Sequence, residues 1–181
     1  TLQTYEAPEI DGKPGSWGWI AWFEDILLGS HSAYDTKRKR AMPNLADGLF
    51  AINPRTGQTL WAYHGSSIEH DGVAVDDGRV LLVDRNLDVN EKKAALANRI
   101  VDGSVKDRSL DRRGKPVEPD LGKLVALEVR TGKPLWSNPF DFSDLTVDDR
   151  VIGQRSGIAC LVKDGTVVVV GIGSIGHPYQ Q

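Results

Sequence analysis

Residues 51–61, Ala-Ile-Asn-Pro-Arg-Thr-Gly-Gln-Thr-Leu-Trp, return at residues 126–136 as Ala-Leu-Glu-Val-Arg-Thr-Gly-Lys-Pro-Leu-Trp, with Ala, Arg-Thr-Gly, Leu and Trp in register. Recurrence of this kind means that one supersecondary unit is used more than once, each copy covering the apolar face its neighbour cannot bury alone. A second element recurs beside it, at residues 18–29, 72–83 and 157–170, each time an apolar run, a short acidic or Asp-Gly turn and another apolar run. Asp77-Gly78 and Asp164-Gly165 mark tight hairpins, because a two-residue turn between twisted strands needs positive φ. Glu24-Asp25 takes the same place in the first copy.

The phrase itself predicts strands at 49–53 and 59–63 around a turn at Pro54–Gly57, and again at 124–128 and 134–136 around residues 129–132. Hairpin joined to hairpin gives a four-stranded antiparallel unit. The chain then reads as all-β, with one unit at 17–64, a second at 70–140 interrupted by an insertion at 85–121, and the first hairpin of a third at 156–176. Four-stranded units repeated on this scale suggest the blades of a β-propeller, about two and a half of them. A large ring at Trp61 or Trp136 is suited to lie against the next blade, where an aromatic side chain buries roughly 150–250 Å².

The pattern Ala-x-Asp/Asn-x-x-Thr-Gly-x-x-x-Trp resembles the tryptophan-docking motif of the PQQ-like (pyrroloquinoline quinone) repeat, found in quinoprotein alcohol dehydrogenases and in non-enzymatic bacterial relatives. Residues 51–61 match it throughout; residues 126–136 place Glu128 where Asp or Asn is usual. The resemblance implies that Thr56, Gly57, Trp61, Thr131, Gly132 and Trp136 are structural residues that dock one blade on the next. It also implies a periplasmic or extracellular setting. It says little of chemistry, since the motif holds blades together and does not react.

Composition bounds the function from outside. The chain has 181 residues, 40% hydrophobic and 26% charged, and a formal net charge of -3. That balance argues against nucleic acid as a partner, because phosphate binding normally shows as a basic domain or face. No apolar run approaches the ~18 residues a membrane-spanning helix requires. The single Cys160 cannot form an intrachain disulfide and leaves the compartment open. A chain that opens on Thr1 is expected to be an excerpt of a longer protein.

Strand alternation sorts the connections. The turns inside each hairpin lie at one end and are short, whereas the other end carries the insertions at 31–47, 85–121 and 138–154, which makes that end the expected binding surface. The 85–121 insertion predicts a short helix, with Asn90 as cap, Leu96 and Ile100 on one face and Gly103 at its end. The cluster Lys37-Arg38-Lys39-Arg40 reads as a solvated loop, lacking interleaved aromatics. His70-Asp71 and Arg155-Ser156 stand just before the innermost strand in successive copies, so His70, Asp71, Arg85 and Arg155 are the candidates for a polar ligand site, against the reading of His70 and Arg155 as hydrogen-bonded turn residues.

Other motifs carry no site. Residues 171–176 form Gly-x-Gly-x-x-Gly, but no helix follows to present its N-terminus to a pyrophosphate, so they read as a strand exit. The four His are scattered and Asp141, Asp144, Asp148 and Asp149 lack the order of a calcium loop, so no metal is assigned. The leading expectation is a non-catalytic propeller segment that serves as a binding or scaffolding surface in a larger bacterial envelope or secreted protein, partnered by its remaining blades and by other envelope proteins or an unidentified ligand. The alternative is part of a quinoprotein dehydrogenase oxidising an alcohol or sugar, for which the resemblance implies PQQ, a calcium ion and a vicinal Cys pair. This sequence has no second Cys.

Overall fold

The computed structural model describes residues 3–10, 12, 14–35, 37, 39–98, 119–143 and 157–172. Two four-stranded antiparallel sheets and a two-stranded hairpin account for nearly all of the regular structure there. The first sheet runs in order β1 (Trp17–Phe23), β2 (Ile26–Asp35), β3 (Arg40–Ile52), β4 (Thr59–Glu69). The second is β5 (Ala74–Asp76), β6 (Arg79–Asp84), β7 (Leu121–Glu128), β8 (Pro134–Asp141). The hairpin pairs β9 (Gly157–Lys163) with β10 (Thr166–Ile172), and one helix, α1 (Val89–Ala97), lies between β6 and β7. The chain is thus β-rich and antiparallel.

Repeated residues form repeated geometry. In the first copy the N–H of Asn53 donates to Gln58 O at 2.8 Å and that of Gly57 to Asn53 O at 2.8 Å; in the second, Glu128 donates to Lys133 O at 2.9 Å and Gly132 to Glu128 O at 2.8 Å. Gly57 and Gly132 take φ of 74° and 68°, where a Cβ is disfavoured. The strand pairing shifts register after Ala51 and after Ala126 alike. The substitution at Glu128 leaves the turn intact by a different bond. Asn53 Oδ1 accepts the N–H of Arg55 at 2.9 Å, whereas Glu128 Oε2 accepts the hydroxyl of Thr131.

Alternate residues of each strand face opposite sides, and both sides of the second sheet are covered. Leu28, Leu49, Ala51 and Trp61 of the first sheet pack on Val80, Leu82, Val125, Leu127 and Val129. The other face of the second sheet, with Leu81, Leu124, Ala126 and Trp136, packs on Ile158, Cys160, Val162, Val167 and Val169. This burial explains why residues 80–83 of β6 are apolar without alternation. On the far side of the first sheet, Leu27, Phe50, Ile52 and Trp17 meet Tyr5, Ala7 and Ile10. Burial among apolar neighbours pushes the Cys160 thiol up to about 11.

Three expectations are corrected. Residues 31–47 are not a loop insertion between strands: β2 and β3 stay paired through Ser32 with Ala46, Tyr34 with Ala41 and Asp35 with Arg40. Likewise β4 continues past residue 64 to Glu69, opposite Leu45, because Ala46 and Ile68 are both fully buried and favour continued pairing over a loop. The stretch 138–154 begins as strand, since β8 extends to Asp141; residues 144–154 lie outside the described residues.

Within 85–121 the expected helix forms, but Asp88 caps it and Asn90 sits in its first turn. Asp88 Oδ1 accepts the N–H groups of Asn90 at 2.7 Å and Glu91 at 2.8 Å, while Glu91 Oε2 accepts the N–H of Asp88 at 2.9 Å. The helix ends at Asn98, whose backbone N–H reaches Ala94 O and Ala95 O, and Leu96 is exposed. Ile100 and Gly103 lie outside the described residues.

Candidate functional site

Among the described residues, the end that carries the long connections collects the buried carboxylates Asp84, Asp120 and Asp141. Asp84 closes β6 and has no exposed surface. A carboxylate in that position requires donors, and it has three: Tyr63 Oη at 2.7 Å and the N–H groups of Ser66 at 2.8 Å and Asn86 at 2.9 Å. Burial first, and then the Asp84 charge, push the Tyr63 phenol far above its usual range. Gly65 makes room for this pair, because a Cβ there would stand 3.1 Å from Asp84 Oδ2 and 2.6 Å from Ile68 Cδ1.

Arg85 follows directly and turns toward two carboxylates. Its Nη2 lies 3.2 Å from Glu69 Oε1 and 3.3 Å from Asp120 Oδ2, and its guanidinium stands 5.2 Å from the centre of the Phe142 ring. The second oxygen of Glu69 accepts the N–H of Ile158 at 2.6 Å. One side chain at the end of β4 therefore joins the first sheet to the arginine of the second sheet and to the backbone of β9. Asp120 is held in turn: its N–H donates to Ser143 Oγ at 2.9 Å, that hydroxyl donates to Asp141 Oδ1 at 2.5 Å, and Phe142 N–H returns to Asp120 O at 2.9 Å. Arg85 Nη1 is buried without a hydrogen-bond partner, wedged where a Cβ on Gly122 would come within 2.6 Å.

The sequence candidates are placed separately. His70 opens a 3-10 turn, His70–Gly72, with Nε2 3.1 Å from Ser30 Oγ, which also accepts the Trp19 N–H at 2.7 Å. Asp71 is exposed in that turn. Arg85 belongs to the cluster just described, and Arg155 lies outside the described residues. Glu69, Asp84, Asp120 and Ser143 are not among the sequence candidates, and Asp141 enters there only in an acidic stretch without calcium-loop order; they are scattered along the sequence, and only the meeting of strand ends makes them a cluster. In β2, His31 donates from Nε2 to Pro14 O at 2.9 Å, and its Nδ1 is buried without a hydrogen-bond partner.

At the other end lie the contacts of the repeated phrase. Trp61 Nε1 donates to Val129 O at 2.8 Å, and its ring covers Gly132 so closely that a Cβ there would come within 2.6 to 2.8 Å of three ring atoms. Arg130 reaches back from the same turn to Asp25, with Nη1 to Oδ1 at 3.1 Å, and to Glu24. These hydrogen-bonded carboxylates, Asp25 foremost, push the guanidinium further up, although the group is exposed. Thr56 and Thr131 each receive the N–H two residues on at 3.3 Å.

Chemically, the buried cluster binds strand ends to one another: its carboxylates are occupied by Tyr63, Arg85, Ser143 and backbone N–H groups. Among the described residues, no group of three or more His, Cys, Asp and Glu is placed to hold a metal ion, and no helix is long and apolar enough to cross a membrane.

No family model and no curated protein matches the chain. Among solved structures it is similar to the computationally designed Ika8 protein, at 14% identity and a TM-score of 0.31 over 90% of this chain and 48% of that one. It is also similar to the computationally designed Ika4 protein, at 14% identity and a TM-score of 0.32 over 95% of this chain and 100% of that one. The chain spans about half the length of the Ika8 chain. Scores of this size do not establish a shared fold.

Proposed function

We propose that this chain is a segment of a PQQ-like β-propeller, two four-stranded blades and the first hairpin of a third, that acts as a non-catalytic binding or scaffolding surface in a larger bacterial envelope or secreted protein. The observation that carries the reading is the contact of Trp61 with Val129 O and Gly132, in which the repeated phrase of one sheet seats on the repeated phrase of the next. A ring of blades repeats one contact around an axis, and this contact is defined by residues that recur. The surface available for binding is the end bearing the long connections, where the charged cluster at Arg85 stiffens strand ends.

Non-catalytic action is favoured by what the polar residues already do. Arg85, Glu69 and Asp120 are joined to one another, Asp84 is saturated by donors, and Cys160 is buried between the second sheet and the β9–β10 hairpin. Negative-stain averages of the longer protein should show a ring of radial sheets, and a linear stack would overturn the propeller reading. Titration of this chain with PQQ and calcium separates the quinoprotein alternative: a saturable one-to-one complex would overturn the non-catalytic one.

A further inference from the structure

The far face of the first sheet meets a segment that copies the sheet-to-sheet contact. Repeat register makes Pro54 the counterpart of Val129 and Gly57 the counterpart of Gly132. Trp61 donates to Val129 O at 2.8 Å; Tyr5 donates from its hydroxyl to Pro54 O at 2.5 Å. Phe50 and Ile52 likewise correspond to Val125 and Leu127, and strand pairing makes Leu27, opposite Ile52, the counterpart of Val80, opposite Leu127; the second-sheet residues form the face on which the first sheet packs. Tyr5, Ala7 and Ile10 cover the former set as the first sheet covers the latter. Trp17 holds the segment in place by donating from Nε1 to Tyr5 O at 3.1 Å.

We infer that residues 3–10 are a built-in cap on a docking surface for the tryptophan-bearing strand of another repeat of this type, with Tyr5 standing in for the indole. The two occupants are mutually exclusive, since both donate to the same backbone carbonyl over the same glycine turn. Their fit differs in one informative way. At Gly132 the indole of Trp61 fills the space a Cβ would take, whereas at Gly57 the nearest neighbour, Gln3 Nε2, stands 3.9 Å away. The cap therefore satisfies the carbonyl and shields the apolar face while leaving unfilled the place over the glycine that an indole occupies. A cap of this kind shields an apolar sheet face until a better-fitting strand displaces it. The inference stands on the contact repeated within this chain and does not depend on the propeller reading.

The test uses the whole chain with Tyr5→Trp, Tyr5→Phe and Tyr5→Ala, and a fluorescein-labelled peptide with the sequence of residues 56–66 as the incoming strand. Tyr5→Trp should keep the thermal midpoint of the parent or raise it, while Tyr5→Phe, which keeps the ring and loses the donor, should lower it. The peptide should bind Tyr5→Ala at least roughly tenfold more tightly than the parent by fluorescence anisotropy, with Tyr5→Trp excluding it. Equal peptide binding by the parent and Tyr5→Ala, nil for both included, would overturn the inference. So would a Tyr5→Trp protein that melts as low as Tyr5→Ala, or a Tyr5→Phe protein that melts with the parent. Amide exchange in residues 121–141 should be unchanged in Tyr5→Ala; if that variant unfolds as a whole, the Trp and Phe variants decide.

Discussion

Trp61 and Trp136 end the same eleven-residue phrase, follow the same turn and face the same side of their sheets, but they meet different partners. Trp61 is 8% exposed, bonded to a carbonyl of the next sheet and seated on that sheet's own copy of the turn. Trp136 is partly buried against the β9–β10 hairpin, and its receiving surface among the described residues is the apolar cluster around Cys160 and Val162. The difference shows that the tryptophan is only half of the device. A carbonyl at the position of Val129 and a side-chain-free Gly132 make up the other half.

The largest expected effect sharpens this contrast directly. Trp61→Ala should cost about 3–5 kcal/mol in urea unfolding, the range for truncating a buried aromatic, and Trp136→Ala clearly less. Equal losses would show that apolar burial alone, and not the receiving turn, sets the strength of docking. Arg85→Met should be nearly as damaging, about 3–5 kcal/mol, because it strands the Glu69 and Asp120 carboxylates below the exposed surface; the double variant with Glu69→Gln should recover part of the loss. The same measurement on Gly132→Ala and Gly57→Ala comes next. Both bear the left-handed backbone cost of about 1–2 kcal/mol. Only Gly132 adds a collision with Trp61, worth about 1–3 kcal/mol more.

Smaller effects follow from protons and salt. Folded Cys160 holds its proton to about pH 11, above the ordinary thiol value of 9.0, and folded Tyr63 holds its own above 10.0. Between the unfolded and folded values the native state binds more protons, so stability is full below about pH 9 and falls as pH rises beyond it. Tyr63→Phe should flatten the upper part of that decline in an unfolding series from pH 8 to 11. An Ellman assay at pH 8 should find the native thiol slow and the urea-unfolded thiol fast. Arg130→Ala should have the least effect of these changes, a small drop in thermal midpoint at low salt that vanishes at high salt, since its carboxylate partners are exposed.

Much of the architecture was legible. Asp77-Gly78, Asp164-Gly165 and the two Thr-Gly turns located hairpins because the need for positive φ is local and glycine meets it. The arm formed by β2 and β3 was missed. Residues 31–47 mix His, Ser, Lys and Arg with few alternating apolar positions, and the pairing is maintained by Ala46 and Ile68, whose burial depends on neighbours elsewhere in the chain. In the candidate cluster only Arg85 was singled out. Glu69 and Asp120 gained importance from the convergence of β4, β6 and β7 at one end, which no spacing in the sequence records.

By itself the sequence determined the elements: strands, turns and the two faces of each sheet follow from local φ requirements and from which side chains avoid water. The tertiary structure alone decided what those faces touch. Trp61 finds its acceptor 68 residues away and Tyr5 finds its own 49 residues away, and no local preference specifies either meeting. The partners are chosen when sheets stack, because a buried carbonyl must be satisfied and an apolar face covered by whichever part of the chain arrives there.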